Sequence, residues 1–199
     1  METYETIREF WFGSNTDDKA VVKDRSRLWW SKDPATDKDM QQRFETIMTK
    51  AANHEIDSWA ATPGGCLALI LLTDQFPRNI YRNTPRCFSF DPLARSWCKD
   101  GIQHGFHKRL RPIERVFFYL PLEHSESPED QNQSVALYEE LASGRNSEHG
   151  PKFDGFLRFA IRHRDIIKRF NRFPHRNQIL GRESSPEELA FLKEKRSSF

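Results

Sequence analysis

The sequence predicts an all-α fold, a compact stack of antiparallel helical hairpins, with residues 1–199 forming one domain. Three observations predict it. Apolar residues recur at helical spacing along most of the chain, and no convincing pair of strands interrupts them. Thr84-Pro85, Asp91-Pro92, Ser127-Pro128 and Ser185-Pro186 each place a capping side chain before a proline at the first helical position, where its missing N–H costs nothing. The turns between helical runs are short, so consecutive helices pack as antiparallel neighbours.

The elements follow in order. Tyr4, Ile7, Phe10 and Trp11 mark a short aromatic helix closed by Gly13. Trp29 and Trp30 are expected as core anchors before a second helix carrying Met40, Phe44, Ile47, Met48 and Ala51, which Thr36 and Asp39 open as a capping box. After the Gly64-Gly65 turn, Leu67 to Leu72 is apolar on every face, the pattern of a helix surrounded by other helices. Leu93 with Trp97, Val116 with Leu120, and Val135 with Tyr138 and Leu141 continue the helical spacing. Phe153, Phe156, Leu157, Ala160, Ile161, Ile167 and Phe170 do the same, and Ser185 with Glu188 forms a second capping box leading into Leu189, Phe191 and Leu192.

Composition sets limits on function. Sixteen Phe and five Trp supply large buried area, so the mean hydropathy of −0.78 reflects a charged surface and not disorder. A formal net charge of +2 argues against a surface wholly committed to nucleic acid or membrane. Cys66, Cys87 and Cys98 show no zinc or redox spacing and read as buried thiols of a reducing compartment. The start Met1-Glu2-Thr3-Tyr4-Glu5 lacks a leader pattern, and the apolar run from Cys66 to Leu72 is too short to span a bilayer, so the expected location is cytoplasmic with no membrane partner. No phosphate loop or dinucleotide fingerprint accompanies the glycines, and no cofactor is expected.

One device occurs twice. Asp74-Gln75-Phe76-Pro77-Arg78-Asn79 is echoed by Arg172-Phe173-Pro174-His175-Arg176-Asn177, each after an apolar helical run. The Phe-Pro step is expected to stop the helix, with the Arg-Asn pair opening a polar loop; the repetition suggests a diverged internal duplication without a strict period. The strings from Leu67 to Phe88, from Phe117 to Glu126 and from Arg172 to Leu192 resemble the bacterial family catalogued as domain of unknown function 924, over most of the chain from Phe10 onward. That resemblance implies an all-helical fold similar to tetratricopeptide-repeat proteins and brings no activity with it. Asn171 stands where the family usually has glycine, and Asn is the next-best residue for a left-handed turn.

Asp74, in the last turn of an apolar helix, needs a cationic partner because the helix dipole disfavours negative charge there. Arg78 and Arg82 are close in sequence, and Arg172, Arg176 or Arg182 can arrive from the second loop. Two arrangements follow: a clamp between helical layers, or a pocket in which these arginines, with Asn79, Asn177 and His175, bind a carboxylate or phosphate. The function expected is a binding module for a protein partner or small anionic ligand. Its alternative is a small enzyme on an anionic substrate, with His124 as acid or base and Glu123 or Glu126 orienting the ring. Ser125 beside His124 lacks a nucleophile elbow. His104 and His107 flank Gly105 with no further ligand motif, so no metal is expected. The basic run from Arg158 through Arg162, Arg164, Lys168, Arg169 and Arg172 to Arg176 interleaves Phe156, Phe159, Phe170 and Phe173, which fit a core-facing stripe; the positive charge is confined to one segment, which argues against nucleic acid as a partner.

Overall fold

Helices and turns account for the secondary structure of the described residues, 2–144, 153–195 and 197 of a computed structural model, and no strand occurs among them. Helix α1 (Tyr4–Phe12) opens on Thr3 and closes at Gly13, whose φ of 73° is the left-handed geometry that glycine admits at a helix end. Helix α2 is Asp18–Trp30 and α3 is Pro34–Ala52. The cap of α3 is Asp33, which accepts from Ala35 N, so the expected Thr36–Asp39 box does not form; Thr36 Oγ1 donates to Asp33 Oδ2 at 3.0 Å instead. Pro34 at the first position fixes the helix start earlier than Thr36.

Helix α4 (Pro63–Ile70) is capped by Thr62, and Gly64-Gly65 lie inside its first turn and not before it. A Cβ on Gly65 would strike the Trp59 carbonyl, so glycine lets the preceding 3-10 turn, Asp57–Ala61, close onto α4. Pro77 does not stop this helix, contrary to expectation. The rod continues through a π turn, Leu71–Gln75, into α5 (Phe76–Ile80). Proline cannot donate and its ring crowds the carbonyl four residues back; a wider π turn just before it, in which Phe76 N donates to Leu71 O, lets the axis carry on.

Helices α6 (Asp91–Gln103), α7 (Pro112–Glu123), α8 (Pro128–Ser143), α9 (Asp154–Phe170) and α10 (Pro186–Phe191) follow. Short 3-10 turns, Pro85–Phe88, Phe106–Arg109 and Pro174–Arg176, connect them. Ser127 and Ser185 cap α8 and α10 as expected, the latter in a full box with Glu188. Thr84 and Asp91 do not cap: Thr84 Oγ1 donates to Tyr81 O at 2.8 Å, and Asp91 is already the first residue of α6. Asn171 ends α9 at φ 54°, the left-handed turn inferred from its sequence position.

The centre of the molecule is the α4–π–α5 rod, with Leu67 to Leu72 fully buried against α1, α3, α6 and α7. Aromatic contacts tie these layers: Trp11 lies 5.5 Å from Phe76 and 5.6 Å from Phe117, and Phe44 lies 5.0 Å from Phe76. Burying each such side chain is worth roughly 1.5–3 kcal/mol. Trp29 is buried and donates to Trp11 O at 2.9 Å, whereas Trp30 is 53% exposed and Phe159 is 51% exposed, so neither is the core residue its spacing predicts. Helix α8 packs between α7 and α9, and a smaller cluster of Ile166, Ile167, Phe173 and Phe191 sits under α10. All three cysteines are buried and free.

Candidate functional site

The π turn aims Asp74 inward, where its carboxylate is wholly buried. His124, the residue that ends α7, brings Nδ1 to 2.8 Å from Asp74 Oδ1 and 3.1 Å from Oδ2. Gln75 Nε2 donates to Asp74 Oδ2 at 2.5 Å, and Arg78 Nη1 lies 3.2 Å from Oδ1 while donating to the Asp74 carbonyl at 2.6 Å. Burial pushes the Asp74 carboxyl up, but Arg78 and His124 outweigh it and hold it well below the usual carboxylate range. An ionised carboxylate only accepts, so Nδ1 of His124 carries the proton of that bond. Burial, then the Arg78 charge, lowers the His124 pKa against the opposing pull of Asp74. The neutral ring therefore presents an Nε2 lone pair, and Nε2 makes no hydrogen bond among the described residues.

The two Phe-Pro segments converge, and Asp91 is where they meet. Arg78 reaches Asp91 Oδ1 at 2.9 Å and Oδ2 at 3.0 Å; Arg176, from the Pro174–Arg176 turn, donates to Asp91 Oδ2 at 3.2 Å and to the His124 carbonyl at 2.9 Å. Both guanidinium groups lie over Phe88, at 5.7 and 4.6 Å from its centroid, and Arg176 also lies 4.7 Å from that of Phe173. Burial and the neighbouring Arg78 lower the Arg176 pKa to about 10. His175 is pushed down to about 3 by burial first and by Arg176 next.

The remaining expected site residues divide among other partners. Asn79 and Arg82 face Asp37 on α3, with Arg82 Nε 2.6 Å from Asp37 Oδ2 and Asn79 Nδ2 3.1 Å from Oδ1. Arg172 forms a two-pronged pair with Glu188 at 2.6 and 2.7 Å. Asn177 donates to Ser184 Oγ at 3.0 Å and accepts from Arg182 Nε at 3.0 Å. Arg182 pairs with Glu126 at 2.8 and 3.0 Å, and Glu126 also accepts from Phe173 N at 2.8 Å. Burial raises the Glu126 pKa, and Arg182 with the Phe173 N–H more than reverses this.

The His124 ring is thus held by Asp74 and not by Glu123 or Glu126. Glu123 lies in the last turn of α7, and its Oε1 meets His163 Nδ1 of α9 at 3.0 Å. Arg169 pairs with Glu187 at 2.8 Å. His107 is buried and His104 exposed, and no group of three potential metal ligands occurs among the described residues.

Sequence reasoning missed four participants: Asp91, taken for a cap; His163, hidden in an amphipathic helix; Asp37, the partner of Arg82; and Asp130. Asp130 is fully buried at the start of α8, where it accepts from Ser125 Oγ at 2.6 Å and meets Arg95 and Lys99. A surplus of arginine around the Phe-Pro motifs was the available signal, since buried guanidinium groups need carboxylate partners.

Fold and site define an all-helical protein whose layers are joined by a buried network of carboxylates, arginines and histidine. Residues 7–196 match the profile of the family described as bacterial protein of unknown function (DUF924), and the chain belongs to that family. The solved structure of a protein of unknown function, ATU0120 from Agrobacterium tumefaciens, is similar at 37% identity and a TM-score of 0.81, with 96% of each chain covered. No curated protein matches the chain. No helix among the described residues is long and apolar enough to cross a membrane.

Proposed function

We propose that the chain binds a small anionic molecule beside the Asp74–His124 pair and moves a proton on it, with His124 Nε2 as the acid–base atom. One observation carries this reading: a wholly buried carboxylate fixes Nδ1 of a ring whose Nε2 makes no hydrogen bond among the described residues, at a π turn in the central rod. A neutral imidazole held in one tautomer is what a general base requires. Asp74 is then a positioning residue, and Arg78 and Arg176 place positive charge where an anionic substrate or a developing negative charge is stabilised. Glu126 positions the Phe173 backbone and Arg182 beside the Arg176 turn.

A second reading keeps the network as a structural clamp. It is supported by the internal pairing of each expected arginine and by the exposure of Trp30 and Phe159, which suit a protein partner. In that reading the chain is a cytoplasmic, tetratricopeptide-repeat-like single domain acting as a binding module.

The discriminating experiment is thermal unfolding of wild type and His124→Gln against a panel of phosphate and carboxylate metabolites, since ligands of the native state raise the midpoint. Each stabilising compound is then incubated in deuterium oxide and followed by NMR. The proposal expects a compound that wild type converts or deuterates and that His124→Gln leaves unchanged. Stabilising compounds that stay unchanged with wild type would leave the clamp as the better reading.

A further inference from the structure

Asp91, Arg95 and Lys99 follow one another at four-residue steps along α6 and so share one side of that helix. Asp91 belongs to the network described above; the two cations beyond it do not. Arg95 Nε lies 2.5 Å from Asp130 Oδ2, and Lys99 Nζ lies 2.6 Å from Asp130 Oδ1. Ser125 Oγ donates to the same Oδ2 at 2.6 Å. Arg95 and the residue after His124 therefore meet on a single carboxylate oxygen, and the cation pair lies beside the Asp74–His124 site.

Both contacts with Asp130 are short ion pairs. Beyond these pairs, no hydrogen bond from the terminal guanidinium nitrogens of Arg95 or from the Lys99 ammonium occurs among the described residues. The terminal guanidinium nitrogens and the remaining ammonium donors are thus open to a ligand, on side chains that are 42% and 36% exposed. Charge points the same way. In the row formed by Asp74, Asp91 and Asp130 with Arg78, Arg176, Arg95 and Lys99, four cations face three carboxylates.

From this geometry we propose that Arg95 and Lys99 bind a phosphate group, and that the anionic molecule acted on beside His124 is a phosphate ester. The assignment deepens the acid–base reading and rests on it for the role of His124; the phosphate subsite itself does not. A planar fork and a point charge on one carboxylate suit a tetrahedral dianion, which accepts from both at once, better than a second carboxylate. Asp130 holds the two cations at a fixed spacing while neutralising only one of them, and Ser125 ties that spacing to the end of α7.

The test is calorimetric titration of the full chain with inorganic phosphate at constant ionic strength, and with acetate in parallel. Wild type is expected to bind phosphate with a Kd of about 1 mM or tighter and acetate more weakly. Arg95→Gln and Lys99→Gln should each weaken phosphate by about tenfold, the loss of one charge-assisted contact, while Arg158→Gln on the exposed side of α9 changes nothing. No phosphate binding by wild type, unchanged affinity in both α6 variants, or an equal loss in Arg158→Gln would overturn the proposal. If the α6 variants do not fold, amide NMR of wild type decides: phosphate-dependent shifts centred on Arg95, Lys99 and Ser125 support it, and shifts centred elsewhere refute it. His124→Gln should keep its phosphate affinity, so a failure of proton transfer and a failure of phosphate binding are read separately.

Discussion

Asp91→Asn removes the charge that joins the two Phe-Pro segments while keeping the shape of the side chain. Arg78 approaches Asp91 at 2.9 and 3.0 Å and Arg176 at 3.2 Å, and their side chains retain only 19% and 8% exposure. Without the carboxylate, two guanidinium groups are left close together beside Phe88. Breaking a buried ion pair costs roughly 3–5 kcal/mol. Arg78 keeps its contact with Asp74 and Asp91 itself is 20% exposed, which places the cost at the lower end, about 3 kcal/mol. For a chain of this size that is a fall in Tm of about 6–12 °C. Urea unfolding measures it, and the double variant Asp91→Asn with Arg176→Met provides the cycle. Removing Arg176 also removes the repulsion, so the double variant should be less destabilised than the sum of the singles by roughly 1–3 kcal/mol. A loss below about 1 kcal/mol in Asp91→Asn, or strict additivity, would show that the convergence on Asp91 contributes little to stability.

Two further predictions concern the same neighbourhood. The folded-state pKa of His175, about 3, lies below its ordinary value of 6.5, and that of His124 is lowered too. Between those pH values the unfolded chain binds more protons, so stability is full above pH 6.5 and falls as pH drops, at up to about 1.4 kcal/mol per pH unit for each histidine involved. Urea midpoints from pH 7.5 to 4.5 should show this slope, and His175→Phe should flatten it; an unchanged slope would assign the effect elsewhere. Gly101→Ala places a Cβ 2.5 Å from Phe118 Cζ and 2.9 Å from Cys66 Sγ, where α6 meets α7 and α4. Overpacking of about 1–3 kcal/mol should exceed the ~1 kcal/mol gained in helix propensity, and a rise in Tm would refute the close packing there.

Much of the fold is legible in local sequence because its determinants are local. Helical spacing marks the buried faces of α1 and α3, Gly13 and Asn171 close helices in left-handed turns, and Ser127 and Ser185 cap α8 and α10. The same proline rule also applies to Asp33-Pro34 and Thr62-Pro63, the caps of α3 and α4. Pro77 misleads because the rule counts a missing N–H but not the burial that keeps the rod helical, at the cost of one π turn. Trp30 and Phe159 mislead because spacing gives a face without saying how far the facing layer extends.

The candidate site is only half legible. Asp74, Arg78, His124 and Arg176 are recognisable as polar groups in apolar surroundings, yet their assembly depends on Asp91, which is 85 residues from Arg176 in sequence. Asp37 likewise draws Asn79 and Arg82 to a different side of the rod, and Glu188 draws Arg172 away towards α10. Which of several nearby arginines reaches a given carboxylate is set by helix packing, and spacing along the chain does not carry that information.

The most direct test of the central claim is the protonation and tautomer of His124, read from imidazole 15N chemical shifts assigned with His124→Gln. A neutral ring at pH 7 with the proton on Nδ1, converting to another state when Asp74 is replaced by Asn, is the result expected if Asp74 holds His124 as a base. An imidazolium at pH 7, or a ring protonated on Nε2, would contradict it.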